Sequence, residues 1–241
     1  MKKAIVLFVL MSSTLGFSVE TTEFHWILCE SPKTVVDKLN ADIVDSKSRQ
    51  SLYYDTENQS LYRDGSVLRL RLDNRKLGTS TVKVTTEPDD RRILKWRQTG
   101  GVKCEWDYRK NKQTYHCSMK RKIPDDRLHR MFYPRQDPTD FFSRQQREFL
   151  SDYDVHPDWE QLVSYGPADS GKWEIEAEDS DLEIDLEQFK FKNKSLVEIS
   201  TRADTNNPGQ FYQQFTRSLS SRKIKICPKQ VSKTWWVLNS R

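Results

Sequence analysis

Histidine is scarce in this chain, four residues in 241, and no Ser-His-Asp arrangement can be traced, so nucleophilic acyl transfer has no support. Cysteine is sparse too. The four present, Cys29, Cys104, Cys117 and Cys227, contain no C-x-x-C pair, and His25 and His116 are isolated, so a zinc site lacks its ordinary spacing. No apolar run after Met11 approaches the ~20 residues that a membrane-spanning helix needs, and no low-complexity linker divides the chain. One-signed charge clusters are missing as well. The formal charge is +5, carried by 40 basic and 35 acidic residues that are well mixed, which is not the pattern of a nucleic-acid binder.

What is present begins with a positive start at Lys2 and Lys3, an apolar run from Ala4 to Met11, and small or polar residues through Gly16. That order predicts a cleavable signal peptide over residues 1–18, export to the periplasm or the medium, and a single domain over 19–241 with no membrane anchor. No Cys follows the apolar run to take a lipid. An even cysteine count in an exported chain predicts disulfides. Cys104 and Cys117 flank Asn111-Lys112 at a spacing that suits two arms of one hairpin. Their pairing leaves Cys29 with Cys227.

The strongest pattern is period-two alternation with a charged polar face. Val67 to Leu72 reads Val-Leu-Arg-Leu-Arg-Leu, with Arg69 and Arg71 opposite the leucines. Thr81 to Thr85 repeats it around Lys83. From Val102 to Arg109, Lys103, Glu105, Asp107 and Arg109 share one face against Cys104, Trp106 and Tyr108. Three further segments, 173–178, 182–186 and 196–202, behave alike, so at least six strands are expected. Two structures fit: an antiparallel sheet with one wet face, or a closed barrel whose charged face lines the interior and whose signs must balance. Helices are predicted after Ser31-Pro32, which has a cap and a proline at the first helical position, and over 139–153 and 208–218, with a short turn at 157–162. The class expected is α+β.

Tyr53-Tyr54-Asp55-Thr56, followed by Leu61, Arg63, Gly65 and Leu68-Arg69-Leu70-Arg71, resembles the CYTH superfamily, the triphosphate tunnel metalloenzymes. Thr81-Val82-Lys83, the acidic pair Asp181-Leu182-Glu183-Ile184-Asp185 and Leu196-Val197-Glu198-Ile199, and Ser232-Lys233 continue the resemblance. It implies an antiparallel eight-stranded tunnel with a charged interior, covered by a few helices. It also implies phosphate-binding residues Arg69, Arg71, Lys83, Arg109 and Lys233, and Mg²⁺ or Mn²⁺ held by Glu105, Asp107, Glu183, Asp185 and Glu198, with Glu183 and Asp185 central to catalysis. Arginine forks suit phosphate oxygens and carboxylates suit small hard cations. The family's first-strand Glu-x-Glu-x-Lys reads Glu23-Phe24-His25-Trp26-Ile27 here, and the partner of Glu198 is Ser200.

Three functions follow as expectations. The first is a metal-dependent phosphoanhydride hydrolase acting on tri- or polyphosphate or a nucleoside triphosphate. The second is a non-catalytic binder of such a small phosphate anion in the same fold, and the third is a structural β protein. Adenylyl cyclase activity fits an exported chain less well. No nucleic-acid partner is expected, and the oligomeric state is not legible.

Overall fold

The structure, a computed structural model, describes residues 21–74, 76–98, 101–133, 136–178, 180 and 182–240; the segment read as a signal peptide lies outside them. Nine strands form a closed barrel: β1 (Thr22–Leu28), β2 (Ala41–Asp55), β3 (Ser66–Asp73), β4 (Leu77–Thr85), β5 (Val102–Arg109), β6 (Lys112–Lys122), β7 (Val163–Ala177), β8 (Ile184–Phe191) and β9 (Lys194–Ala203). The order around the ring is β1-β5-β6-β4-β3-β2-β7-β8-β9. Eight antiparallel strands were expected. A ring of nine cannot alternate direction throughout, so one neighbouring pair must run parallel, and β1 with β5 does so over the short register Thr22↔Trp106 to Phe24↔Tyr108.

The apolar faces of the strands point outward and are covered by helices. α1 (Pro32–Leu39) starts where the Ser31 hydroxyl accepts from the Thr34 amide, and it buries Val35 and Leu39. α4 (Arg144–Asp152) is nucleated by a reciprocal box between Ser143 and Gln146, so the helix expected from Thr139 begins later, after a single 3₁₀ turn. α5 (Pro208–Ser221) lays Tyr212 and Phe215 against the fully buried Trp26, with ring centroids 4.6 Å away in both cases. Aromatic packing of this extent makes Trp26 worth about 3–5 kcal/mol against truncation to alanine.

Three further helices, α2 (Ser60–Arg63), α3 (Arg91–Gln98) and α6 (Lys233–Leu238), carry no clear sequence signal. α6 packs at one end of the barrel. There the inward positions turn apolar, and Ile27, Tyr53, Phe189 and Leu196 meet Val237 and Leu238. The chamber therefore has an apolar floor. Ile27, where the resemblance places a lysine, is part of it.

Both disulfides are closed. Cys104 and Cys117 stand directly opposite on β5 and β6, 4.1 Å apart at Cα. Cys29–Cys227 fastens the segment before α6 to the end of β1, where the Cys227 amide also donates to the Ile27 carbonyl. No helix among the described residues is long and apolar enough to cross a membrane.

Candidate functional site

Ion pairs that skip a strand identify the inward face. Lys83 on β4 reaches Asp107 on β5 at 3.4 Å, across β6, and Arg109 on β5 reaches Glu198 on β9 at 2.7 Å, across β1. Arg49 on β2 comes within 3.5 Å of Glu187 on β8, across β7. The alternating charges thus line a barrel interior rather than a solvated sheet face. The interior divides into two walls of different electrostatic character.

On β2, β3, β4 and β6 lies a basic wall. In register, Tyr53 opposes Arg69 and Ser51 opposes Arg71, while on the other side Thr81 and Thr79 oppose the same two arginines, and Lys120 opposes Thr81. Neither arginine forms an ion pair or hydrogen bond among the described residues. Five of the wall's polar atoms, Nε of Arg69 and Arg71, Oγ of Ser51 and Oγ1 of Thr79 and Thr81, are buried with no partner. Burial, with Arg69 and Arg49 nearby, pushes Arg71 down to about 10. Lys120, exposed at the edge of the wall, is lowered by partial desolvation and by Arg71. Arginines without an ion pair and unpartnered hydroxyls are thus concentrated on neighbouring strands, an arrangement chemically suited to an anionic group.

On β1, β5, β8 and β9 lies an acidic wall whose carboxylates stand against basic side chains, although His25 Nε2 and Arg109 Nη1 make no hydrogen bond of good geometry. Glu198, 1% exposed, is met by His25 Nδ1 at 3.1 Å, Lys233 Nζ at 2.8 Å and Arg109 Nη2 at 2.7 Å. Asp107 faces His25 Nε2 at 2.6 Å. Glu187 is held by Lys233 at 2.7 Å and by the Ser170 hydroxyl at 3.0 Å. Asp185 meets Lys172 at 2.5 Å, and Glu23 meets Arg202 at 2.7 Å. Burial alone would raise Glu187, Glu198 and Asp107 and lower His25, but the opposite charges win. Glu187 falls to about 2, Glu198 and Asp107 lie well below the carboxylate range, and His25 rises to about 9. His116, half-buried beside Lys83, is pushed down to about 4 by desolvation and by that lysine.

The expected residues divide accordingly. Arg69, Arg71, Lys83, Arg109, Lys233, Asp107, Asp185 and Glu198 all reach the interior. Glu183 does not: it is exposed just before β8, in a groove with Asp42, Glu176 and Glu178, and the second inward acid of β8 is Glu187. Glu105 pairs with Lys103 on its own strand at 2.6 Å, apart from the other acids. The sequence reading missed Ser51 and Thr79, whose small hydroxyls give no pattern, and Arg49, Lys120, Lys172 and Glu187, whose roles depend on register.

The family resemblance implies Mg²⁺ or Mn²⁺, which prefer several unencumbered oxygen ligands. The residues present do not fit that requirement. Among the described residues no group of three His, Cys, Asp or Glu is placed to hold a metal ion, and the inward carboxylates already face side-chain cations.

No protein-family model matches the chain, and no curated protein matches it by sequence. Among solved structures, a Hippeastrum protein described as a candidate adenylyl cyclase with a dominant triphosphatase activity aligns with a TM-score of 0.62 at 15% identity, over 90% of this chain and 94% of its own. A Bacillus halodurans protein described as a candidate adenylate cyclase aligns with a TM-score of 0.57 at 16% identity, over 88% and 94%. At such identities the likeness shows the fold and leaves the chemistry to the residues.

Proposed function

Because the chain has the CYTH-like triphosphate-tunnel fold, we propose that it captures an inorganic tri- or polyphosphate, or the phosphate tail of a nucleoside triphosphate, on the basic wall of the barrel. The observation that carries this reading is the set of five buried, unpartnered donors on Ser51, Arg69, Arg71, Thr79 and Thr81. Each phosphate oxygen accepts from such groups, and leaving them unmade costs on the order of 1–3 kcal/mol apiece. Arg69 and Arg71 supply charge-assisted bonds, the hydroxyls fix orientation, and Lys120 and Lys83 add charge at the sides. Lys233 and Arg109 serve the opposite wall, where they hold Glu187 and Glu198. The apolar floor under α6 stops the ligand from passing through, so a chain end enters. The two disulfides fit a protein working outside the cytoplasm.

Thermal shift tests the reading. Tripolyphosphate at low salt should raise the melting temperature by mass action, and changing Arg69 and Arg71 together to alanine should remove the rise. A wild-type protein indifferent to millimolar ligand would leave a structural β barrel instead.

Hydrolysis of the bound phosphoanhydride is the second reading. It would draw on carboxylates such as Glu23, Asp107, Asp185, Glu187 and Glu198, which share the interior with the basic wall. Phosphate release from tripolyphosphate, ATP and long-chain polyphosphate, measured with Mg²⁺, Mn²⁺ and chelator, separates turnover from capture. Activity abolished by Asp185→Asn would support the enzyme.

A further inference from the structure

The acidic wall already holds the cations it needs. His25 stands between two carboxylates from different strands, with Nε2 2.6 Å from Asp107 and Nδ1 3.1 Å from Glu198. Lys233 stands between two more, 2.7 Å from Glu187 and 2.8 Å from Glu198. Glu198 therefore faces three basic groups, two at Oε1 and Arg109 at Oε2. Asp185 is similarly held by Lys172, with Arg202 at 3.9 Å, and Arg202 also holds Glu23. Glu23, Asp107, Asp185, Glu187 and Glu198 are each in contact with at least one basic side chain of the chain itself.

A divalent ion entering this wall would have to displace the imidazole from Asp107 and Glu198 or the ammonium from Glu187 and Glu198. His25 is buried, at 5% exposed, and Lys233 is half-buried, with its side chain 23% exposed. It would also meet positive charge in a poorly solvated interior, where repulsion is strong. Replacing one resident cation by another gains little Coulomb energy while removing the ion's hydration shell, which Mg²⁺ gives up reluctantly.

We propose that His25 and Lys233 are built-in cations standing where a divalent metal would sit, so that the chamber binds its phosphate ligand without metal. This rests on the phosphate reading above for the ligand, but the claim about the acidic wall can be tested alone. Its consequence is a preference for metal-free tripolyphosphate or polyphosphate over the Mg²⁺ complex, because Arg69 and Arg71 then meet the ligand's charge unreduced by a bound cation.

The test uses the purified disulfide-bonded protein. Tripolyphosphate is titrated calorimetrically with EDTA and again with millimolar Mg²⁺. In a separate arm Mg²⁺ or Mn²⁺ alone is added while the melting temperature is followed. Binding in EDTA should equal or exceed binding in Mg²⁺, and neither ion alone should move the melting temperature by more than about 1 °C. His25→Glu, which exchanges the imidazole for a third carboxylate, should make the protein respond to Mn²⁺ alone by several degrees. If that variant does not fold, His25→Gln removes the charge without adding a new one and should show a smaller response of the same sign. Tripolyphosphate binding that needs Mg²⁺ overturns the proposal, and so does stabilisation of the wild type by Mn²⁺ alone that Asp107→Asn abolishes. If tripolyphosphate binds in neither condition, the phosphate reading fails, and the arm with metal alone still decides for or against the resident cations.

Discussion

The hydroxyl groups of Tyr62 and Ser232 stand 3.0 Å apart, joining α2 to the start of α6. The same Ser232 oxygen caps α6 by accepting from the Trp235 amide at 3.0 Å, and the next residue is Lys233. The Tyr62 amide in turn donates to Asp55 Oδ2, while Asp55 Oδ1 accepts from the Thr56 and Leu61 amides at 2.7 and 3.0 Å. The Tyr-Asp-Thr segment that resembles a known motif is thus a bracket: it holds the element that delivers Lys233. Asp55→Ala should cost about 2–4 kcal/mol, because three amides lose a charged acceptor in a buried place. Tyr62→Phe should cost about 1 kcal/mol. Urea unfolding measures both, and an Asp55→Ala variant as stable as wild type would contradict the bracket.

The orphan hydroxyls should trade stability for binding. Thr79→Val keeps the shape and removes a buried oxygen that has no partner, so the ligand-free protein should gain about 1 kcal/mol while its affinity for tripolyphosphate falls severalfold. Thermal melts with and without ligand give both quantities. A loss of stability in the free protein would mean that the oxygen has a partner after all.

The two disulfides should differ in weight. Cys29–Cys227 spans 198 residues and Cys104–Cys117 spans 13, so loop-closure entropy assigns them about 5 and about 3 kcal/mol respectively. Double serine variants, compared by chemical denaturation, should follow that order. The native protein should show no reactive thiol, and a peptide map should recover both links.

Stability should fall on both sides of near-neutral pH. His25, at about 9 in the fold against 6.5 for the free group, binds its proton more tightly when folded. Its contribution is complete below pH 6.5 and disappears as pH rises through 9. His116, at about 4 against 6.5, works in the opposite sense: the unfolded chain takes up a proton first, so stability is lost as pH falls from 6.5 towards 4. His25→Gln should flatten the alkaline limb and His116→Gln the acid limb of a melting profile between pH 4 and 9.

The sequence by itself determined the local facts. Period-two alternation follows from the pleat of a single strand, so Arg69 and Arg71 share a face in any fold that keeps β3 extended. The hairpin spacing of Cys104 and Cys117, the cap at Ser31 and the Tyr53-to-Arg71 segment are likewise local. Only the tertiary structure decided which charged faces meet. Glu198 finds Arg109 and His25 from positions 89 and 173 residues away in the chain, and these meetings depend on strand order, register and the parallel closure of β1 on β5. Alternation alone assigned Glu183 to the same face as Asp185. The strand begins one residue too late to hold it there, and Glu187 is the acid that Lys233 reaches. His25 shows the difference most clearly. In the sequence it is a departure from an acidic motif, and in the barrel it is the cation between two acids, because the strands that carry Asp107 and Glu198 close on either side of it.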